Sequence, residues 1–408
     1  MTTPPAAHPP TYGRHLLPLW WLDPDITYLN HGTVGATPRA VLAAQDQWRQ
    51  RIERQPARAL LRELVHLPHR PKPADDERAT LRQAADALAA HLGARGDDLV
   101  FVDNATSGVN AVLRSLRFSP GDEIVLLDHG YGAMQRVAQH VGTLTGATIR
   151  IATLPYPAAT PEGCVAALQA ALTPRTRLAL LDHITSESAL VLPLQAMAAA
   201  CRAAGVAVLA DGAHAPGAIA LDIPALGVDW YAANLHKWAF APRGTGILWA
   251  APQRQAGLHP PVISWGYGGR WDQEFDWTGT RDPSGWLAAP AGWAFMDSHL
   301  GGAQALRERN HALAWAAAQR LAARWDLAPA VPEAMVGTMA MMPLPARLGD
   351  DAAAARRLQD GLLFEQRIEC PVLPRAGRLW LRISAQAYVD DADLAALERA
   401  IVGRLGAP

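Results

Sequence analysis

Lysine is nearly absent from this chain of 408 residues. Of its 37 basic residues only Lys72 and Lys237 are lysines, and all the others are arginines. Any chemistry that needs a lysine amine therefore has two candidates. Lys72 lies in the proline-rich segment 68–73, which favours a loop over a buried site. Lys237 follows an apolar stretch and is the stronger candidate.

Cysteine, excess charge and nucleotide-binding loops are also scarce. The three cysteines (Cys164, Cys201 and Cys370) are widely spaced and form no CxxC pair, so we expect reduced thiols in a cytoplasmic protein and no metal site. The net charge of −1 gives no electrostatic reason to expect nucleic acid or an anionic membrane as a partner. The absence of a Walker-type glycine loop argues against a nucleoside triphosphate ligand.

Targeting and membrane-spanning segments are not expected either. The first residues lack the basic region and apolar run of a signal peptide. The apolar stretch 189–210 is interrupted by Pro193, Gln195, Arg202 and Gly205, so it predicts a helix and a buried strand, not a membrane span. With 50% hydrophobic and 18% charged residues, the chain has the composition of a soluble protein, and its length allows two domains.

Short apolar runs alternate with amphipathic stretches through the middle of the chain. The strand-like runs are 99–102, 124–127, 148–151, 178–181 and 206–210. Helical patterns begin between them near Thr106, Tyr131, Pro161 and Pro193. This alternation predicts an α/β fold with a mostly parallel sheet, and ligands of such sheets bind at the carboxyl ends of the strands.

Other elements flank this region. Segment 38–55 predicts a helix with Thr37 as N-cap and Pro38 as its first residue, and 75–91 predicts a second helix that Asp75 caps. After Gly285 a long helical region extends to 326, with a break at 301–302. The later pattern predicts a smaller α+β domain, with strands at 337–342, 368–373 and 379–383 and helices at 352–364 and 390–405.

An acid and a lysine end two successive predicted strands. Asp211 closes the run 206–210, and Lys237 follows 26 residues later at the end of the next apolar stretch. Pyridoxal 5′-phosphate (PLP) needs this pair, because a lysine forms a Schiff base with its aldehyde and an acid keeps its pyridine nitrogen protonated. An alternative role for Asp211 is to cap a helix.

Further polar residues at the strand ends suit the same cofactor. His214 is placed to bond the phenolic oxygen of PLP, or is a structural histidine. Thr106, at a strand-to-helix turn, is placed to bind a phosphate, a role compatible with N-capping. Tyr131 is a candidate for stacking on the ring, or a core tyrosine. Asp182 and the adjacent His183 either lie near the phenolic oxygen or make structural hydrogen bonds.

Two features suggest substrate binding. Arg382 lies within an apolar strand, where it needs a partner: a substrate carboxylate or a buried acidic side chain would serve. The polar segment 278–281 follows an aromatic loop at 265–277, and we expect it to be an active-site loop that reaches a partner subunit.

Together these residues resemble the class V aminotransferase family of fold-type I PLP enzymes, and within it the isopenicillin N epimerase-like branch. The blocks that carry the resemblance are Tyr28-Leu-Asn-His-Gly-Thr-Val-Gly-Ala36, Asp103-Asn-Ala-Thr-Ser-Gly-Val-Asn110, Asp128-His-Gly-Tyr-Gly-Ala133, Asp182-His-Ile-Thr-Ser186, Asp211-Gly-Ala-His-Ala-Pro-Gly217, Asn234-Leu-His-Lys-Trp238, Trp277-Thr-Gly-Thr-Arg-Asp-Pro-Ser284 and Arg382-Ile-Ser384. Val34 and Thr33 depart from the branch, which often has Phe and Ser there.

The resemblance implies a homodimer with shared active sites and a small amino acid substrate. It implies an N-terminal segment 1–36 that packs with the small domain, a large PLP-binding domain 37–285 and a small C-terminal domain 286–408. The cofactor-binding residues it implies are Ala105, Thr106, Tyr131, Asp182, Ser186, Asp211, His214, Asn234, His236, Lys237 and Thr280. Lys237, Asp211 and Tyr131 would be catalytic, and His31, Arg281 and Arg382 would bind substrate.

The predicted activity is chemistry at the Cα of an amino acid, most simply epimerisation. Epimerisation needs a second base besides Lys237 unless the carbanion or the lysine can reorient, and His31, Tyr131 and His183 are the candidates for that base. The alternatives are a C–S (β-) lyase, a cysteine desulfurase or an aminotransferase. A desulfurase needs a mobile cysteine, and Cys370 lies in a run that predicts a strand. A non-catalytic regulator is a further alternative, although no segment predicts a DNA-binding module.

Overall fold

The computed structural model describes residues 11–68 and 78–405. The predicted cap Asp75 and the alternative lysine Lys72 lie outside these ranges. The helices are α1 (His31–Val34), α2 (Arg39–Arg54), α3 (Pro56–Arg58), α4 (Thr80–Ala89), α5 (Ala105–Ser115), α6 (Gly132–Thr145), α7 (Pro161–Ala171), α8 (Leu194–Ala203), α9 (Trp271–Asp276), α10 (Ser284–Leu287), α11 (Pro290–His299), α12 (Ala303–Arg324), α13 (Ala352–Gln366) and α14 (Asp391–Leu405). The strands are β1 (Thr27–Tyr28), β2 (Leu99–Val102), β3 (Glu123–Leu127), β4 (Thr148–Ala152), β5 (Thr176–Asp182), β6 (Ala207–Asp211), β7 (Trp230–Asn234), β8 (Gly246–Ala250), β9 (Met339–Pro343), β10 (Ile368–Glu369), β11 (Val372–Arg375) and β12 (Arg378–Ser384).

A seven-stranded sheet forms the centre of the molecule, in the order β2-β8-β7-β6-β5-β3-β4. The pairs from β7 through β4 are parallel, whereas β8 runs antiparallel to both of its neighbours. Strands β2, β3, β7 and β8 are buried along their whole length, which explains why their sequences are continuous apolar runs. The predicted mostly parallel α/β sheet is confirmed.

The C-terminal part builds a second layer on a three-stranded antiparallel sheet, in the order β11-β12-β9. Strand β1 near the N-terminus pairs in parallel with β10, so the N-terminal segment contacts the C-terminal part of the chain. The predicted helical region after Gly285 is divided as expected, since α11 ends at His299 and α12 begins at Ala303. The domain limits at 36 and 285 stay predictions.

Two local predictions are wrong. Thr37 does not cap α2: its hydroxyl donates to the carbonyl of Ala241 at 3.2 Å, and Pro38 precedes the first helical residue. The run 368–373 is not one strand, because β10 pairs with β1 and β11 pairs with β12. Cys370 lies at the junction between them. The pairing of each strand with a distant segment decides where it ends, and the local sequence pattern does not show this pairing.

No helix in the described ranges combines the length and the apolar character that a bilayer crossing requires.

Candidate active site

A cavity of about 330 Å³ opens at the carboxyl ends of β5, β6 and β7, beside the N-terminus of α5. Parallel strands bring their carboxyl ends to one edge of a sheet, so residues far apart in sequence meet there. The sequence-predicted residues that line it are Ala105, Thr106, Tyr131, Asp182, Ser186, Asp211, His214, Asn234, His236 and Lys237. The predicted residues His31, Thr280, Arg281 and Arg382 lie outside the lining.

Lys237 follows β7 and is 9% exposed. Its Nζ lies 3.0 Å from Nε2 of His214. Burial lowers the pKa of the Lys237 amine, Asp211 opposes this shift and Arg382 adds to it, so that the pKa falls from its ordinary 10.5 to about 8. A substantial fraction of the amine is therefore neutral near physiological pH, as a nucleophile requires.

Asp182 and Asp211 end adjacent strands and are paired in register. Burial raises the pKa of both carboxyl groups, most strongly that of Asp182, which Asp211 raises further. Asp211 Oδ1 accepts a hydrogen bond from the backbone N–H of Ala213 at 2.9 Å. A cation bound next to these two buried carboxyl groups would stabilise their ionised form. The protonated pyridine nitrogen of PLP would supply such a cation.

The part of the cavity lining at the N-terminus of α5 suits an anion. The Asn104 side chain caps α5 by accepting from Ser107 N–H at 2.9 Å, and Asn234 Oδ1 accepts from Ala105 N–H at 2.8 Å. Thr106 lines the cavity in this first helical turn, where the helix dipole favours negative charge. His236 lines it too, with Nδ1 donating to the carbonyl of Thr245 at 3.1 Å. These residues fit a phosphate group.

Of the three candidate second bases, only Tyr131 lines the cavity, and its side chain is 45% exposed. His31 is fully buried: its Nε2 donates to the carbonyl of Lys237 at 3.0 Å, and its Nδ1 lies 2.9 Å from the Tyr388 hydroxyl. His183 Nδ1 lies 2.8 Å from the Tyr231 hydroxyl. Burial lowers the pKa of both His31 and His183 to about 4.

Arg382 lies behind the cavity wall. Its guanidinium donates to Thr33 Oγ1 at 2.5 Å, to Asn30 Oδ1 at 3.4 Å and to the carbonyl of Ser186. Thr33 and Ser186 line the cavity, so Arg382 is one residue removed from it. These partners are all neutral, so the buried guanidinium keeps its positive charge available to an anion in the cavity.

The loop with Thr280 and Arg281 approaches the cavity from another side. Arg281 forms an ion pair with Asp103, which lines the cavity, and its guanidinium lies 4.1 Å from the centroid of the Trp286 ring. Thr280 is exposed. Its cofactor-binding role stays a prediction.

The sequence reasoning missed Arg243, an exposed residue that lines the cavity. It follows Lys237 by six residues, in the connection between β7 and the antiparallel β8. That connection must lie at the carboxyl end of β7, which is the edge with Lys237, so sheet topology was the signal that could have found it.

Comparisons with known proteins agree with this geometry. The model of the family "Aminotransferase class-V" matches residues 37–356. A probable chloroplastic L-cysteine desulfhydrase of Arabidopsis thaliana is 32% identical over an alignment that covers 93% of this chain and 83% of the relative. The isopenicillin N epimerase of Amycolatopsis lactamdurans is 35% identical over an alignment that covers 93% of this chain and 95% of the relative.

Solved structures show the same architecture. A mutant of C-DES with glycine covalently linked to the PLP cofactor superposes with a TM-score of 0.76 and 24% sequence identity. The match covers 96% of this chain and 99% of that chain. At this level of identity the likeness shows the fold alone.

Proposed function

The chain belongs to the class V aminotransferase family, whose members are fold-type I enzymes dependent on pyridoxal 5′-phosphate, and we propose that it epimerises an amino acid substrate at Cα. The observation that carries the proposal is the buried amine of Lys237, beside His214 and facing the same cavity as Asp211 and Tyr131. The cavity thus holds two groups that can carry a proton, the amine of Lys237 and the phenol of Tyr131.

Pyridoxal 5′-phosphate is the cofactor, and when bound it supplies an aldehyde and a ring that accepts electrons from Cα. Lys237 would hold the aldehyde, and Asp211 the pyridine nitrogen. Thr106 and His236 would hold the phosphate. His214 is positioned to orient the lysine amine, because its Nε2 lies within hydrogen-bond distance of Nζ.

Lys237 is suited to move the Cα proton on one face of the substrate. A base works best when its pKa lies near the working pH, and burial brings the pKa of this amine to about 8. Inversion also requires a proton to be delivered on the other face. Tyr131 is our proposed donor, because neither candidate histidine lines the cavity. The ring of His31 bonds the carbonyl of Lys237 and the hydroxyl of Tyr388. The ring of His183 bonds the hydroxyl of Tyr231.

Arg382 would draw the substrate carboxylate. Its guanidinium is buried among neutral oxygens, so an incoming carboxylate gains a charge-assisted interaction that the hydroxyl of Thr33 does not provide. Fixing the carboxylate places Cα relative to Lys237, and orientation of this kind is a large part of catalysis.

The test is proton NMR of the PLP-loaded enzyme in D₂O with a panel of L-amino acids that includes S-substituted cysteines. Loss of the α-proton signal together with appearance of the D-form supports the proposal. Formation of pyruvate and ammonia from a cysteine derivative, with no D-form, overturns epimerisation and establishes a C–S β-lyase.

A C–S β-lyase is the second candidate, and the cysteine desulfhydrase relative favours it. The same Lys237 would remove the Cα proton, and Tyr131 would protonate the departing sulfur.

A desulfurase is disfavoured, because Cys370 is fully buried at the β10–β11 junction and burial raises the pKa of its thiol. We expect Cys370→Ala to keep full turnover. If this variant instead loses sulfur transfer, the protein is a desulfurase.

We propose further that two copies share their active sites. Support comes from the loop at 277–281, where Thr280 is exposed next to the Arg281–Asp103 ion pair at the cavity. Sedimentation equilibrium should give the mass of a dimer, and mixing Lys237→Ala with Thr280→Ala subunits should restore activity if Thr280 serves the neighbouring site.

A further inference from the structure

Arg243 is a cation at the cavity without an acidic partner. Its Nη2 donates to the carbonyl of Gly35 at 3.3 Å. Within residues 11–68 and 78–405 no carboxylate forms an ion pair with it, whereas Arg281, which also lies close to the cavity lining, is paired with Asp103. The guanidinium of Arg243 therefore has most of its donors available.

Arg243 and Arg382 hold the same short turn at two points. Arg382 donates to Thr33 Oγ1, and Arg243 donates to Gly35 O, two residues further along the chain. The charges of both arginines reach Tyr28, where they oppose the rise in pKa that burial causes. The two guanidinium groups thus flank Thr33 and Val34, which line the cavity.

The turn between these arginines packs closely against the backbone of His236 and Lys237. Gly35 has a φ of +69°, and a Cβ at this position would lie 1.9 Å from the carbonyl oxygen of His236. The turn therefore presses against the backbone that carries Lys237. The hydrogen bond to Gly35 O attaches one nitrogen of the Arg243 guanidinium to this turn, and a donor that is already positioned loses less entropy when a ligand binds.

We propose that Arg243 binds a second anionic group on the substrate side chain, so that the substrates are amino acids with an acidic side chain. This inference rests on the proposed function, because it assigns the α-carboxylate to Arg382 and the reacting Cα to Lys237. The phosphate of the cofactor would have its own partners at the N-terminus of α5 and at His236. Arg243 is bonded instead to the turn that Arg382 also holds, on the side of Thr33 and Val34.

The test compares isosteric acid and amide ligands. Dissociation constants for L-aspartate against L-asparagine, and for L-glutamate against L-glutamine, are measured on the PLP-loaded protein from the change in cofactor absorbance. A charge-assisted hydrogen bond makes the acid bind about ten to a hundred times more tightly than its amide in at least one pair. Arg243→Gln should bring this ratio close to one, and Arg243→Lys should give an intermediate ratio.

Arg114→Gln is the matched control, since it removes the same charge near the far end of α5 from the cavity. It should keep the wild-type ratio. A wild-type ratio near one, or an unchanged ratio in Arg243→Gln, overturns the inference. Weaker binding of PLP itself in Arg243→Gln, with the ratio kept, assigns the residue to the phosphate instead. If none of the four amino acids changes the absorbance, the inference fails, whereas the proposed function is decided separately by the exchange experiment in D₂O with the wider panel of amino acids.

Discussion

The amine of Lys237 and Nε2 of His214 lie 3.0 Å apart in a buried pocket. Burial, and then the charge of Lys237, hold the pKa of His214 well below its ordinary value, so the imidazole is neutral and its Nε2 accepts a hydrogen bond from the amine. Nδ1 of His214 then carries the ring proton, and within the described residues this buried atom has no partner. The pair fixes the direction of the nucleophile before the cofactor arrives.

The first prediction concerns the pH dependence of cofactor uptake. Lys237 has a folded pKa of about 8 instead of 10.5, and only the neutral amine attacks an aldehyde. The neutral fraction grows as the pH rises, so uptake by the cofactor-free protein should accelerate and level off above pH of about 8. At pH 7 about a tenth of the amine is neutral, roughly 300-fold more than for an ordinary lysine.

Stopped-flow absorbance after mixing cofactor-free protein with PLP at several pH values measures this dependence. Pyridoxal 5′-phosphate titrates itself, so a free amine such as Nα-acetyl-lysine is run in parallel. A profile for the protein that still rises tenfold per pH unit above pH of about 9 would contradict the lowered pKa.

The second prediction identifies the lysine that holds the cofactor. Lys237→Ala should lose the absorbance band of covalently held PLP and all activity, while Lys72→Ala should keep both. Borohydride reduction and peptide mass spectrometry should place the cofactor on Lys237 in the wild-type protein. Full colour and activity in Lys237→Ala would refute the assignment of the site.

The third prediction concerns stability near the loop that leads to Thr280. Arg82 on α4 and Asp276 on α9 form a buried ion pair at 2.6 Å, and Arg82 also donates to the carbonyl of Leu99 at 2.7 Å. Removing one partner leaves the other charge buried, so Asp276→Ala should lower the free energy of unfolding by about 3–5 kcal/mol.

Urea unfolding of the cofactor-free protein measures this loss. The double variant Arg82→Met/Asp276→Leu should be less destabilised than Asp276→Ala, because it leaves no buried charge. If the free energy of unfolding lost in the double variant equals the sum of the losses in Arg82→Met and Asp276→Leu alone, the two residues do not act as a unit.

Much of the fold could be read from the sequence, because the strands that are buried on both faces must be continuous apolar runs. Their polar ends then predicted a site at one edge of the sheet, and ten of the predicted side chains line one cavity. What periodicity could not show was the direction in which each polar group points. His31 belongs to a recognisable block, yet its ring bonds the backbone of Lys237 from outside the cavity lining.

Other misses have the same cause. Arg243 stands in a loop with no periodic pattern, and only the antiparallel pairing of β7 with β8 brings it to the cavity. Thr37 carries a good capping side chain, but a tertiary partner, the carbonyl of Ala241, takes its hydroxyl. Contacts between segments far apart in sequence decided each case.

The fourth prediction concerns Tyr131, which we propose as the second proton carrier. Tyr131→Phe keeps the aromatic ring, and so any stacking on the cofactor, but it removes the hydroxyl. Lys237 should still exchange the Cα proton on its own face, whereas formation of the D-amino acid should fall by about 10²-fold or more. Proton NMR in D₂O follows the exchange, and chiral chromatography follows the D-product.

Three variants separate the roles of the ring and the hydroxyl. Tyr131→Ala, which removes both, should also weaken cofactor binding. His183→Gln, outside the cavity lining, should show no selective loss of the D-product, because any damage to packing would slow exchange and inversion together. If Tyr131→Phe forms the D-amino acid at the wild-type rate, the phenol does not carry the second proton, and inversion must proceed through Lys237 alone or through a group of a neighbouring subunit.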